Sequence, residues 1–73
     1  MKRTPKPFQP RLRKNLLRLV AQKNLTMERM AVEADLTSSF VSQVLAGRSS
    51  ISLAALERIA VVLGVDITEL LKL

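Results

Sequence analysis

The chain contains no cysteine and no histidine among its 73 residues, and these two absences exclude more chemistry than any residue present. Without cysteine there is neither a disulfide nor a thiolate zinc site to stabilise so short a chain. Without histidine the commonest general base and metal ligand is missing. The acids Glu28, Glu33, Asp35, Glu57, Asp66 and Glu69 are scattered and read mostly as surface or capping residues. With only two glycines, no Gly-rich loop is available to cradle a phosphate. No enzyme, metal, cofactor or small-molecule ligand is expected. Aromatic residues make up 3% of the chain; Phe40 lies at the edge of an apolar face and reads as core, and Phe8 reads as a local anchor. Apolar runs are short and broken by charge, and the first residues lack the apolar stretch of a signal peptide. The expectation is a cytoplasmic protein without a membrane partner.

What is present fits one small domain close to the lower size limit for a self-sufficient core. An apolar fraction of 48% is high for that length. It points to several packed amphipathic helices with some apolar surface left for a partner. Charge is unevenly placed. Lys2, Arg3, Lys6, Arg11, Arg13, Lys14, Arg18 and Lys23 all fall in residues 1–27 without a single acid, whereas the remainder is slightly acidic, and the net charge is +6. A polyanion partner follows, with nucleic acid the foremost candidate and a solubilising tail the plainer reading.

Residues 1–9 hold Pro5 and Pro7 among Lys and Arg, which favours an extended basic arm over a helix. The domain proper is expected over 10–73. A first helix from about Pro10 to Lys23 turns Leu12, Leu16, Leu19 and Val20 inward and carries Arg11, Lys14 and Arg18 on the opposite side, and Asn24 stops it in the left-handed conformation. Thr26 caps a second helix, with Glu28 in its first turn. Thr37 caps a third, ended by Gly47. Ser52 caps a fourth, with Leu53, Leu56, Ile59, Ala60 and Leu63 inward and Gly64 closing it. Asp66 with Glu69 resembles a capping box for a last short helix holding Ile67, Leu70 and Leu71. The fold class predicted is all-α, with five helices, no strand and no internal repeat.

Thr26 to Gly47, TMERMAVEADLTSSFVSQVLAG, contains two short amphipathic segments joined by a tight turn, the signature of a helix-turn-helix. Their apolar faces meet across Ala34 to Thr37. The outer face of the second segment is left carrying Ser39, Ser42, Gln43 and Ala46, with Ser38 at its start: short, uncharged side chains able to approach a groove floor.

This stretch resembles the Cro/C1-type, or Xre-type, helix-turn-helix family of phage and bacterial transcription regulators. The likeness runs through Leu12, Leu16 and Leu19 before the motif and Ser52 to Leu71 after it. Two positions depart from the family pattern. Met27 stands where a phosphate-contacting Gln is usual, and Asp35 stands where the turn usually has Gly; aspartate tolerates the left-handed conformation better than most residues. The resemblance implies a five-helix, lambda-repressor-like DNA-binding domain with double-stranded DNA as partner, acting as a repressor-type, nucleoid-associated transcription regulator. It also implies that Ser38, Ser39 and Gln43 face bases. From geometry, Ser42 joins them, and Gln43 is the strongest candidate because its amide can bond adenine N7 and N6 together. Thr26, Thr37, Arg48, Ser49 and Ser50 are the expected phosphate contacts, with Lys2, Arg3 and Lys6 reaching DNA from the arm.

A single recognition helix covers about half a turn of DNA, so a homodimer on a two-fold site is expected. Ile67, Leu70, Leu71 and Leu73 crowd four large apolar side chains into the last seven residues, which makes them the expected interface, the competing account being that Ile67 and Leu70 complete the core of a single chain while Leu73 frays in solvent. Two other readings stand beside this one. The same fold could serve as a protein-binding module, antitoxin-like or anti-regulator, or the arm alone could bind RNA or a membrane surface.

Overall fold

The computed structural model describes residues 9–72, which form α1 (Gln9–Gln22), α2 (Met27–Glu33), α3 (Ser38–Leu45), α4 (Leu53–Leu63) and α5 (Thr68–Leu71). The arm residues Lys2, Arg3, Lys6 and Phe8, and the expected interface residue Leu73, lie outside the described residues. The chain is all-α over its described length.

Three helices start where a hydroxyl can meet an unpaired N–H. Thr26 Oγ1 accepts from Arg29 N–H at 3.0 Å, Thr37 Oγ1 from Phe40 N–H at 3.0 Å, and Ser52 Oγ from Ala55 N–H at 3.1 Å. Each such cap contributes about 1 kcal/mol. The first four helices also end alike, with a left-handed residue at Asn24, Asp35, Gly47 and Gly64. Behind it, the next N–H bonds back across five residues: Leu25 to Val20 O, Leu36 to Ala31 O, Arg48 to Gln43 O and Val65 to Ala60 O, all at 2.8–3.0 Å. This is the Schellman closure, usually accompanied by an apolar side chain just past the left-handed residue. Leu25, Leu36 and Val65 supply it, but α3 has Arg48.

α5 departs from expectation at its start. Ile67 occupies the cap position in helical conformation without a side-chain bond, so the predicted capping box does not form. Asp66 acts from one residue earlier instead. Its Oδ1 accepts from the Thr68 N–H at 3.0 Å and the Thr68 hydroxyl at 2.9 Å, while Glu69 pairs with Lys72 at 3.1 Å. The Thr68 bonds hold the exposed Asp66 carboxyl below its ordinary range. The ionised form is therefore favoured in the folded chain, and its support of α5 is present at neutral pH and lost as pH falls through the lowered value.

One core joins all five helices: Leu12, Leu16, Leu19 and Val20 from α1, Met30 and Ala31 from α2, Val41 and Val44 from α3, Leu56, Ile59, Ala60 and Leu63 from α4, and Leu70 from α5. Two expectations are corrected. Leu53 is 65% exposed and the nearby Ala55 is buried, because side chains on a helix lean toward its N-terminus and one in the first turn projects past the end of the core. Leu70 is 0% exposed; it completes the core of a single chain and has no surface to give a partner. Ile67 and Leu71 are half-buried against the same core.

Asn15, a residue the sequence pattern passed over, ties the two ends of the domain together. It is 5% exposed on the inner side of α1, and its Nδ2 donates to Leu70 O at 2.9 Å and Lys72 O at 2.8 Å. A helix of four residues cannot satisfy its own last carbonyls, so Asn15 does it from 55 residues away. Asn15→Ala strips both carbonyls of their donor and is expected to cost about 2 kcal/mol. For a domain this small that lowers the melting temperature by roughly 10 °C. A calorimetric midpoint unchanged from wild type would show that burial of Leu70 alone secures α5.

Candidate nucleic-acid interface

The turn Ala34–Thr37 sets how α3 is presented. Asp35 adopts φ 61°, Leu36 N–H closes on Ala31 O at 2.8 Å, and Thr37 caps the next helix. A second support comes from outside the motif. Arg58 on α4 donates from Nε to Ala34 O at 2.9 Å, satisfying a carbonyl at the end of α2 where the chain bends. Nothing in the sequence of the motif marks Arg58, which lies 24 residues further on.

With Val41 and Val44 buried and Phe40 half-buried against the core, α3 turns Ser39, Ser42, Gln43 and Ala46 to solvent, and Ser38 is half-buried at its start. The expected base-facing residues therefore share one surface. It carries no ionisable side chain. Thr26 and Thr37 each use a lone pair of the hydroxyl for capping, which leaves the hydroxyl proton free to donate to an outside acceptor. Arg48 and Ser50 are exposed in the loop after α3. Ser49 sits differently from its neighbours. It is half-buried and its Oγ donates to Gln43 Oε1 at 3.1 Å.

Sequence reasoning missed the contribution of α1. Arg13 and Leu17 line an open groove of about 580 Å³ together with Met27, Ser38, Ser39, Ser42, Leu45 and Ala46. A second concavity of about 570 Å³ shares Arg13, Leu17, Leu45 and Ala46 and adds Pro10, Lys14 and Gly47. α1 thus lays two cations along one flank of α3, over a floor that includes Leu17, 51% exposed. The available signal was the four-residue spacing of Arg13 and Leu17 beside the buried stripe of α1; the expected cationic stripe of Arg11, Lys14 and Arg18 passed over Arg13. Met27 is half-buried and packs on the core, which accounts for an apolar residue at the start of α2.

The pair Arg29–Glu33, 2.8 Å apart, is exposed on both sides and contributes little. Among the described residues no group of His, Cys, Asp or Glu could hold a metal ion, and no helix is long and apolar enough to cross a membrane.

A Cro/C1-type helix-turn-helix family model matches residues 16–70, a span that begins within α1 and takes in the motif, α4 and the buried Leu70. No curated protein and no solved structure gives a significant match to the chain.

Asp35 in the left-handed position carries a steric penalty that glycine would not. Asp35→Gly is expected to raise stability by about 0.5–1 kcal/mol, read as a higher denaturation midpoint at unchanged slope. A lower midpoint would mean that the aspartate side chain itself supports the turn.

Proposed function

Because the chain belongs to the Cro/C1-type helix-turn-helix family of DNA-binding regulators, we propose that it is a sequence-specific repressor-type regulator that lays the outer face of α3 in the major groove. The observation that carries this reading is the arrangement around α3. A short, exposed, uncharged surface of Ser39, Ser42 and Gln43 is flanked by hydroxyl caps on one side and by Arg13, Lys14 and Arg48 on others. Short side chains let the helix backbone approach base edges, while cations and hydroxyls at the rim suit phosphates.

In this reading Ser38, Ser39, Ser42 and Gln43 face bases, and Thr26, Thr37, Arg48 and Ser50 meet the backbone. Arg13 and Lys14 extend the backbone contact along α1. The arm cations Lys2, Arg3 and Lys6 supply long-range attraction. Two copies bind a two-fold site, since one short helix buries too little DNA for tight specific binding; Ile67, Leu71 and Leu73 are the C-terminal residues proposed for the pairing, with Leu70 removed from that set. A second reading, a module of the same fold that binds protein, draws on exposed Leu53 and Val61 of α4. It predicts no preference among DNA sequences.

Selection of bound duplexes from a random pool separates the two readings. On the best site selected, Gln43→Ala is expected to cost about 1–3 kcal/mol and to relax preference at one base pair. Equal losses on selected and random duplex would reduce Gln43 to a general contact. Footprints are expected over two half-sites about one helical turn apart.

Deleting residues 1–8 removes Lys2, Arg3 and Lys6 without entering α1. Affinity should fall, and the slope of log K against log salt should flatten by roughly 0.9 for each phosphate the arm had neutralised. An unchanged slope returns the arm to the role of a solubilising tail.

A further inference from the structure

The end of α3 is built differently from the ends of the other long helices. Where α1, α2 and α4 place Leu25, Leu36 and Val65 after the left-handed residue, α3 places Arg48, which is exposed. The Arg48 N–H still closes the helix on Gln43 O at 2.8 Å, so the backbone of Gln43 is fixed. The next residue then reaches back, with Ser49 Oγ donating to Gln43 Oε1 at 3.1 Å. The backbone and the side chain of Gln43 are thus both held by the two residues that follow Gly47.

A glutamine amide has two ends of opposite character, an oxygen that only accepts and an NH2 that only donates. A hydroxyl bonded to the oxygen draws that end toward the loop and leaves the NH2 as the end extended to solvent. Guanine presents two acceptors side by side in the major groove, N7 and O6, and suits an extended NH2. Adenine presents an acceptor at N7 and a donor at N6, and needs the oxygen turned outward as well.

We propose that Ser49 is a positioning residue that orients the Gln43 amide and biases it toward guanine over adenine. The inference rests on α3 being the DNA-reading helix, and it replaces the phosphate role expected for Ser49. Its size is bounded. A tether can bias base choice only by the net worth of its own hydrogen bond, so the change in preference is about threefold and no more than about tenfold.

The test selects bound duplexes from a random pool with five proteins: wild type, Ser49→Ala, Ser49→Thr, Gln43→Ala and the double variant Gln43→Ala with Ser49→Ala. Comparing wild type with Gln43→Ala identifies the base pair that Gln43 reads. At that base pair wild type and Ser49→Thr are expected to select guanine. Ser49→Ala should shift the ratio of guanine to adenine by about threefold toward adenine, with affinity for random duplex unchanged. In the Gln43→Ala background, Ser49→Ala should change nothing at that base pair. Adenine selected by wild type and Ser49→Ala alike overturns the proposal. So does a loss of affinity in Ser49→Ala that is uniform across sequences, which would make Ser49 a phosphate contact. If no base pair depends on Gln43 while other positions remain selected, the inference falls and the DNA reading stands. If no sequence is selected at all, both fall.

Discussion

The bend between α2 and α3 is the constraint on which the presented surface depends. α3 is eight residues long, about 12 Å, and a helix of that length has no stability of its own in water. It exists because Val41 and Val44 are buried and because Thr37 fixes its first turn, and it points where it does because Asp35 accepts a left-handed backbone. Arg58 completes the arrangement by bonding to Ala34 O from α4. Loss of the bend would not merely shift α3 but remove the burial that keeps it helical. Orientation and existence of α3 are therefore one property, held by its packing on α1 and α2 and by Arg58 of α4 at the bend.

In the proposed reading, attraction and discrimination are divided between different parts of the chain. The outer face of α3 has no charge, so it contributes nothing to long-range steering, whereas Arg13 and Lys14 on its flank and the arm cations carry no sequence information if they meet phosphates. Such a division lets the salt dependence of binding change without changing which bases are preferred. In the same reading, the positive charge concentrates in residues 1–27, while the motif from Thr26 to Gly47 is itself acidic, with Glu28, Glu33 and Asp35 against Arg29.

Elements that depend on local chemistry are legible in the sequence. The caps at Thr26, Thr37 and Ser52, the left-handed stops at Asn24, Asp35, Gly47 and Gly64, and nearly the whole buried set follow from spacing and from which residues tolerate each backbone conformation. What is not legible depends on distance along the chain. Asn15 looks like a polar interruption of an apolar stripe until α5 arrives with unpaired carbonyls, and Arg58 looks like a solvated cation until the end of α2 is placed beside it. Arg13 is one of several basic residues in α1, and only the packing of α1 on α3 distinguishes it. Leu53 and Leu70 mislead for a related reason. Periodicity gives the angle around a helix but not where along its length the core stops, so a first-turn leucine reads as buried and a fully buried one as free.

Two of the places where this chain breaks its own local rules flank α3. The helix before it ends on aspartate where glycine would be unstrained, and the helix itself ends on an arginine where the other closures have an apolar residue. Neither departure helps folding, because the first costs conformational energy and the second forgoes an apolar contact at the helix end. Natural sequences tolerate such conflicts chiefly where another requirement competes. Here one departure lies at each end of the same eight-residue helix, and the second places the Arg48–Ser49 pair over Gln43. Stability alone would have put a glycine and a leucine at these positions; what the chain has instead is an α3 with a polar, tethered C-terminal end.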